Sequence, residues 1–499
     1  MSDASITPTA TTPLVRSKVV KYSSSDDGSS YFPSPEHNAL ILAGEESSEP
    51  SPITPTPLPV RQLATLLIGQ MPEPVVATVL FPFINQLVLE IGITGGDERK
   101  VGYYAGLIES LFFLSEFCMV LRWGRLSDRY GRKPIILCGL LGLTLSSACF
   151  GLSKSFMGLV ISRSLAGLLS GNIGVMKSAL GEILDPTNIA EGCAMLPVVW
   201  SAGATLGPLI GGFLSRPHEK YPALFDNGFW RTYPYFLPCA CASLICLAAA
   251  VTVGLFFEEA LPSPRRLGHQ RSSSEETLVE ATPEQPPLCE ILTRPVVVAI
   301  SNYAILSLLD IALTALLPLF YSTPISDGGL GFDTPTIGLI LGALGLTNGS
   351  LQGLFSARVQ RYFGIKNVYV GGVFCFFGSW ACLPIMNALA RTNGIDYRVI
   401  LLLGLQLSLN IGSNTSFGCT MLFITAAAEK GCLGATNGVS QTVISFMRMV
   451  GPAAATSLFA LSIERNLMGG TFVYWVLAFS TFIALAVAIP LPKRVLSNL

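Results

Sequence analysis

Charged residues are scarce in this 499-residue chain, because Asp, Glu, Lys and Arg together make up only 13% of it, against about 25% in soluble globular proteins. The net charge of −1 leaves no basic domain, so we expect no nucleic-acid partner. Histidine is limited to three residues, and the twelve cysteines show no paired Cys-x-x-Cys spacing. The sequence therefore predicts no metal site and no cofactor, and we interpret the thiols as small apolar side chains.

Several motifs are also missing. No Gly-x-x-x-x-Gly-Lys-Ser/Thr sequence occurs, so ATP-driven pumping is not supported, and no paired His–Asp motif within an apolar run indicates an intramembrane enzyme. A signal peptide is not expected, because the first apolar run begins only near Gln62. Residues 1–61 are rich in Ser, Thr, Pro and acidic side chains, which predicts a disordered cytoplasmic tail.

Long apolar runs, in contrast, are abundant, and half of the chain is hydrophobic. A membrane-spanning helix needs about 20 apolar residues, and such a helix satisfies its own backbone hydrogen bonds in lipid. The predicted spans are 63–91, 102–122, 133–152, 156–180, 193–215, 233–257, 295–321, 335–357, 366–390, 397–425, 433–462 and 471–491. We therefore predict an all-α membrane protein with twelve transmembrane helices in two six-helix bundles, 62–257 and 295–492. A polar cytoplasmic linker, 258–294, joins them, and 493–499 is a cytoplasmic tail.

A basic loop sets the predicted orientation of these spans. Gly124–Lys133, which reads GRLSDRYGRK, is the densest group of charges in the main body of the chain. Short basic loops between spans lie on the cytoplasmic side, so counting places both termini and the linker there as well. The outer loop around Arg216, Lys220 and Arg231 opposes this orientation.

The same segment resembles the loop signature of the major facilitator superfamily, G-x-L-x-D-R-x-G-R-K, at every defining position. Arg163, in ISRSLAGLLSGNIG, is similar to the family's Arg-x-x-x-Gly helix signature, and 203–212, GATLGPLIGG, is similar to its antiporter signature. The phrases SGNIGVMKSALGEILDPTN and SQTVISFMRMVGP indicate the fungal and plant drug:proton antiporter branch that includes zinc-induced-facilitator-like proteins. The second half departs from the pattern, because its loop SARVQRYFGIKN has no acidic residue where Asp128 stands in the first half.

The resemblance implies the major facilitator fold, built from two pseudo-symmetric bundles, and a gating role for the basic loop. Glycines there permit a tight turn, and the carboxylate of Asp128 is expected to meet the positive end of a helix in the opposite half. Such a contact would hold the cytoplasmic side closed. The predicted gating residues are Gly124, Asp128, Arg129, Gly131 and Arg132.

The antiporter signature in the fifth span has two interpretations. The resemblance implies a leak-tight seal and a bending point that are typical of exporters. Small residues four apart also allow two helices to pack closely, and a proline kinks a helix, without any transport chemistry. The residues concerned are Gly203, Gly207, Pro208, Gly211 and Gly212.

Ionisable side chains inside the spans are costly in lipid and indicate function. We predict that Glu73 and Glu109 carry protons, since burial disfavours the charged form of a carboxylate, and the resemblance assigns proton coupling to Arg163. An alternative for Glu73, which lies between two prolines, is a carboxylate near the membrane face. Glu116 shares a helix face with Glu109, and we expect it to pair with Arg122 or Arg125.

Candidates for a substrate pocket lie in both halves. Asp310, in the seventh span, either neutralises a cationic substrate or pairs with Arg448. The neutral candidates, for each of which packing between helices is the alternative, are Asn85, Gln86, Asn410 and Gln441.

Together these features predict a secondary transporter that exports a small organic molecule in exchange for protons by alternating access. Proton-coupled uptake and a transporter-like nutrient receptor remain alternatives. The expected partners are the lipid bilayer, a small-molecule substrate and protons, and we expect a monomer in the plasma membrane or the vacuolar membrane. The run Ser272–Ser274, beside Arg271, is either a phosphorylation site or part of a flexible linker.

Overall fold

The computed structural model describes residues 57–170, 172–185, 188–259, 292–428 and 433–492. Within these ranges all regular structure is helical. The predicted N-terminal tail up to residue 56, the linker from 260 to 291 with its serine run, and the tail 493–499 lie outside the described residues.

The helices of the N-terminal half are α1 (Val60–Gln70), α2 (Pro72–Thr78), α3 (Ile84–Glu90), α4 (Val101–Tyr130), α5 (Arg132–Gly151), α6 (Phe156–Leu169), α7 (Asn172–Ile183), α8 (Ile189–Leu214), α9 (Pro217–Lys220), α10 (Pro222–Phe225), α11 (Gly228–Thr232) and α12 (Phe236–Phe256). Those of the C-terminal half are α13 (Arg294–Ser322), α14 (Thr334–Phe363), α15 (Ile365–Asn393), α16 (Tyr397–Ala427), α17 (Leu433–Glu464) and α18 (Phe472–Ala488). We call the end with the loops after α3 and α13 the outer end, and the end with the α4–α5 and α14–α15 turns the inner end.

Ten helical segments in the described part of the chain are long and apolar enough to cross a membrane. The first predicted span instead consists of the three short helices α1, α2 and α3. Pro72 and Pro74 lack a backbone N–H and cannot continue the hydrogen-bond ladder of α1, which explains the break at Met71. The last predicted span is the 17-residue helix α18, so the count of twelve spans stays a prediction.

The prediction that the basic segment 124–133 forms a loop is wrong. α4 runs on through the charged segment for 30 residues and ends only at Tyr130, because charged side chains beyond the lipid do not interrupt a helix. Gly131 then turns the chain with a φ of 103°, and Gly364 does the same between α14 and α15 with a φ of 81°. Only glycine takes such values without strain, so the two halves repeat one turn, and Arg361 occupies the position that matches Asp128.

The two halves meet along two helix pairs. α4 packs along α17, and α8 packs along α14. Glycine permits both approaches: a Cβ atom on Gly106 would collide with Thr456, and one on Gly212 would lie 2.8 Å from the Cα of Gly338. The halves are therefore in backbone-to-backbone contact along their sides.

Polar contacts between the halves gather at the outer end. The Arg99 side chain forms an ion pair with Asp327 at 3.1 Å, and the Tyr103 hydroxyl donates to Glu464 at 3.1 Å. Deeper along α4, the Ser110 hydroxyl accepts from the Ala453 amide at 2.9 Å. Among described residues, the hydrogen bonds and ion pairs found between the halves join their outer parts, so the structure is closed at that end.

A lysine also caps α8 at the outer end. Lys220 donates to the Gly212 carbonyl at 2.7 Å and to the Ser215 hydroxyl at 3.0 Å. A cation at a helix C-terminus is favourable, although partial burial lowers the pKa of this amine, which the nearby Asp333 carboxylate offsets in part. The helix that carries the antiporter signature is thus held firmly at this end.

Candidate functional site

Arg448 of α17 is the centre of a charged cluster between the two halves. Its guanidinium interacts electrostatically with Glu73 of α2, Glu116 of α4 and Asp310 of α13. Among the described residues none of these carboxylates forms a direct ion pair with Arg448, so the interactions act across gaps. Lys177 of α7 adds a second cation near Glu73. Each half therefore contributes both acidic and basic groups to one site.

Seven-residue spacing places the site residues on matching helix faces. Glu109 and Glu116 lie two turns apart on α4, about 10 Å along its axis, and Gln441 and Arg448 have the same spacing on α17. Tyr303 and Asp310 have it on α13, and Tyr303 interacts electrostatically with Arg448 of α17. The α13 and α17 helices, which carry these residues, pack against each other.

Glu73 is buried, with 6% of its surface exposed. It lies in the first turn of α2, where the chain resumes its helix after the break at Met71. The amide of Gln70, from the last turn of α1, donates to its carboxylate at 3.4 Å. The break therefore supplies a polar partner deep between helices, which argues against a position at the membrane face.

Glu109 and Arg163 form a second charged group within the N-terminal half. Both are buried and interact electrostatically, yet no direct ion pair joins them in the described structure. The Arg163 guanidinium lies 4.5 Å from the centre of the Phe112 ring and donates to the Val76 carbonyl at 3.5 Å. Its Nε has no hydrogen-bond partner among the described residues, so this cation is weakly compensated.

Two of the neutral candidates contribute to the closed outer end. Asn85 donates to the Ser322 hydroxyl at 2.9 Å, and Gln86 accepts from the Thr334 hydroxyl at 3.2 Å. Asn85 also lines a small pocket between the halves together with Glu109. Asn410 is buried and accepts from the Asn414 amide at 2.9 Å within α16. Of the predicted pocket residues, Asp310 interacts electrostatically with Arg448.

The predicted partner of Glu116 is a further correction. Among the described ion pairs none joins Glu116 to Arg122 or Arg125, and Glu116 instead interacts electrostatically with Arg448. The first two arginines lie further along α4 towards the inner end, and Arg122 contacts the Met119 sulfur instead. The charge of Glu116 therefore belongs to the cluster between the halves.

The gating motif is held within its own half in this structure. Asp128 pairs with Arg132 at 2.6 Å, and Arg132 pairs with Glu182 of α7 at 2.7 Å. Glu259 accepts from the backbone amides of Arg132 and Lys133, at 2.8 and 3.0 Å, and so caps the N-terminus of α5. Contact of Asp128 with the opposite half stays a prediction.

Asp128→Asn is expected to lower transport several-fold without lowering the amount of protein at the membrane, because the charge that would meet the opposite half is lost. The measurement is an uptake and export assay normalised to surface protein. Asp226→Asn is the matched control, since Asp226 forms a similarly exposed pair with Arg231 in an outer loop. Normal transport by Asp128→Asn would rule out the gating role.

The antiporter signature packs α8 against neighbouring helices. A Cβ atom on Gly203 would collide with Pro74, one on Gly207 with Thr78, and one on Gly211 with the Val79 carbonyl oxygen. Gly212 makes the contact with α14 described above, and the carbonyl of Pro208 lies 2.5 Å from a Cβ atom built on Gly338. The predicted close packing is confirmed.

Sequence reasoning missed three contributors. Lys177 is an exposed lysine in an otherwise apolar helix, within the segment SGNIGVMKSALGEILDPTN. The rule that ionisable side chains inside spans indicate function, which identified Glu73, could also have identified Lys177. Glu182 and Glu259 lie near the ends of predicted segments, where carboxylates are common. Nothing in the sequence signals their contact with Arg132.

In the described part of the chain, two bundles of apolar helices share a charged cluster. The family model of the Major Facilitator Superfamily matches residues 66–452. The chain belongs to this superfamily. Members of this superfamily are transporters, so the chain is a multi-pass membrane transporter and not an enzyme.

Relatives place the chain more narrowly. It is 35% identical to the "Major facilitator-type transporter psiT2" of Psilocybe cyanescens, over 86% of this chain and 89% of that protein. It is 28% identical to the "Efflux pump azaK" of Aspergillus niger, over 94% and 96%, and 29% identical to "Protein ZINC INDUCED FACILITATOR 1" of Arabidopsis thaliana, over 78% and 81%. The predicted fungal and plant branch is confirmed.

A solved structure shares the fold at low identity. The crystal structure of a D-xylose-proton symporter superposes with a TM-score of 0.65 at 14% identity, covering 87% of this chain and 98% of that one. The similarity supports the arrangement of helices alone.

Proposed function

We propose that the protein exports a small organic molecule in exchange for protons, by alternating access of the cluster around Arg448. The two halves, 62–257 and 295–492, move as bundles connected by the linker 258–294. The observation that carries this proposal is the shared charge of the site: Arg448 belongs to one half, and the buried Glu73 to the other. A change in the charge of Glu73 therefore changes the attraction between the halves.

The steps follow from charge balance. When Glu73 is ionised, Arg448 is attracted towards the N-terminal half, and the electrostatic attraction favours approach of the two halves around the site. When Glu73 takes up a proton, that attraction weakens, and Arg448 is left to Glu116 and Asp310. Glu109 supplies a second carboxylate that takes up and releases a proton, and Arg163 is the fixed cation that stabilises its ionised form. Charges away from water interact strongly, so the gain or loss of one proton changes the attraction between the charged groups substantially.

Two features support export as the direction. The glycines of α8 follow the antiporter signature, and one relative is named an efflux pump. The inner end is then cytoplasmic, with both termini on that side, in the plasma membrane or the vacuolar membrane. The working unit is a monomer, since the site is formed within one chain.

The proposal is tested in sealed vesicles that contain the purified protein and a panel of metabolites and toxic cations. Export of at least one compound should rise when the side opposite the inner end is made acidic and should stop when an ionophore collapses the gradient. Empty vesicles are the control. Export that is indifferent to the gradient for every transported compound would refute proton exchange.

Proton-coupled uptake is the second candidate, because the same carboxylates serve either direction. The vesicle assay separates the two, since symport moves the compound with the proton gradient and exchange moves it against.

A further inference from the structure

Arg163 lines a second small pocket, which lies within the N-terminal half. Among the described residues of its wall none carries a carboxylate. Its other polar residues are Ser146, Ser147, Ser162 and Cys239. Leu80 borders both this pocket and the one that Glu109 lines, so the two pockets are neighbours. The volume of about 10 Å³ suits one ligand about the size of a water molecule.

The guanidinium of Arg163 has an unsatisfied donor at this pocket. Only 3% of the residue's surface is exposed, and its Nε has no hydrogen-bond partner among the described residues. The bond from its Nη1 to the Val76 carbonyl is long, at 3.5 Å. A guanidinium carries several N–H donors and no acceptor, and a buried donor without a partner is costly. A ligand in the pocket can therefore satisfy this donor.

Three serine hydroxyls of the wall can add to this donor. Ser146 and Ser147 each donate to a backbone carbonyl oxygen at 3.2 Å, and Ser162 does so at 3.0 Å. These bonds are long for a hydroxyl donor, whose bonds to oxygen are usually about 2.7–2.8 Å. A hydroxyl hydrogen that turns from such a carbonyl to a ligand gives up a weak bond. The wall thus offers O–H and N–H donors together, which is the set that an anion requires.

The charge beside this pocket is compensated in one protonation state only. Among the described carboxylates, Glu109 is the one that interacts electrostatically with Arg163. When Glu109 takes up a proton, the guanidinium keeps its charge and loses that counter-charge. The Phe112 ring, 4.5 Å away, attracts a cation less strongly than a full negative charge does. Because a buried cation without a counter-charge is costly, the protonated state of Glu109 favours entry of an anion.

We propose that the pocket lined by Arg163, Ser146, Ser147 and Ser162 binds a chloride ion when Glu109 carries a proton. The size of the pocket suits chloride, which is only slightly larger than water, and excludes phosphate, sulfate and organic anions. Ionisation of Glu109 expels the chloride, because two negative charges close to one guanidinium repel each other. The inference rests on the proposed role of Glu109 as a proton carrier and adds a co-ion to it. By linkage, chloride and the proton each strengthen the binding of the other.

The test is thermal unfolding of the purified full-length protein in sodium chloride and in sodium gluconate of equal ionic strength, at an acidic and at an alkaline pH. A ligand that binds the folded state raises the melting temperature. Chloride should therefore raise the melting temperature relative to gluconate, and the rise should be larger at the acidic pH, where Glu109 carries its proton. Equal melting temperatures in the two salts at both pH values would overturn the chloride site.

Variants locate the site. Arg163→Gln removes the charge, and Ser162→Val fills the pocket and removes a hydroxyl, so each should abolish the difference between chloride and gluconate. Glu109→Gln is neutral at every pH and should show the same chloride effect at both pH values. Ser480→Ala removes a hydroxyl that bonds within α18 of the other half and should respond as the unmodified protein does. An unchanged chloride effect in Arg163→Gln and Ser162→Val, or a pH-dependent one in Glu109→Gln, would contradict the assignment.

Bromide provides a second readout that does not depend on a well-folded variant. Crystals of the unmodified protein grown at acidic pH in sodium bromide should show anomalous scattering in the pocket, within hydrogen-bond distance of the Arg163 Nε. Anomalous scattering at other places only, or a water molecule at this one, would overturn the proposal.

These outcomes are separate from that of the vesicle assay, because no gradient is present. A chloride effect on stability in a protein whose export ignores the pH gradient contradicts proton exchange and leaves the anion site intact. Gradient-driven export by a protein that is equally stable in chloride and gluconate contradicts the anion site alone.

Discussion

Replacing Glu73 with glutamine is expected to reduce pH-gradient-driven export to the level of empty vesicles. Glutamine has the size of glutamate and retains the hydrogen bond with Gln70, but it cannot take up or release a proton. The attraction between Arg448 and the N-terminal half would then be fixed in its weakened state throughout the cycle. The measurement is export at a saturating gradient, with protein amount and melting temperature recorded for each variant.

Glu109→Gln is expected to give the same loss, because its carboxylate faces Arg163 in the second charged group. Glu98→Gln, at the exposed outer end, is the matched control and should export normally. Full gradient-driven export by the Glu73→Gln protein would show that Glu73 does not take part in proton coupling. The same criterion applies separately to Glu109.

Gly211→Ala is expected to have the largest effect on stability. A Cβ atom there collides with the Val79 carbonyl oxygen, and a backbone atom cannot rotate away as a side chain can. Overpacking of this kind costs about 1–3 kcal/mol, and here it must push α8 away from α2. We expect a lower melting temperature and a leak of protons through the vesicle membrane, since the helix that bears Glu73 loses its support.

Gly404→Ala is the matched control, because nothing lies within 4 Å of a Cβ atom at that helical position. Alanine favours a helix over glycine by about 1 kcal/mol, so this variant should be as stable as the unmodified protein or more so. A melting temperature for Gly211→Ala equal to that of Gly404→Ala would contradict close packing of α8 on α2.

Apolar run length predicted the helical architecture and the order of the elements, because crossing lipid imposes a length and a composition on every span. It failed where lipid no longer constrains the chain. α4 continues through Arg125 and Arg129 since water tolerates a charged helix as readily as a loop. Prolines flank Glu73 in the sequence, but periodicity could not show that one span is divided into three helices.

The residues of the candidate site could be predicted from the sequence, but the interactions among them could not. The cost of charge in lipid singled out Glu73, Glu109 and Asp310 from sequence alone. The electrostatic interaction of Glu116 with Arg448 could not be predicted in this way, because spacing within one helix does not show which helix of the other half lies opposite. The nearest basic residues in sequence therefore looked like its partners.

The close packing of the antiporter signature could be predicted because it depends on the small residues of one helix. Glycines four residues apart form a smooth helix face, against which any neighbouring helix can pack closely. Their partners, Pro74 and Val79, became evident only with the three-dimensional arrangement. Short stretches of sequence thus predict how a single helix can pack. The charge interactions between the two halves can be identified only from the three-dimensional structure.

Exchange of protons for substrate is tested most directly by following the pH inside sealed vesicles when a transported compound is added on one side, with no gradient imposed. A pH-sensitive dye trapped in the lumen reports the movement of protons. We predict that the lumen becomes more alkaline as the compound enters, and that Glu73→Gln abolishes the change. Acidification of the lumen on entry of the compound, or no change during demonstrable transport, would contradict proton exchange.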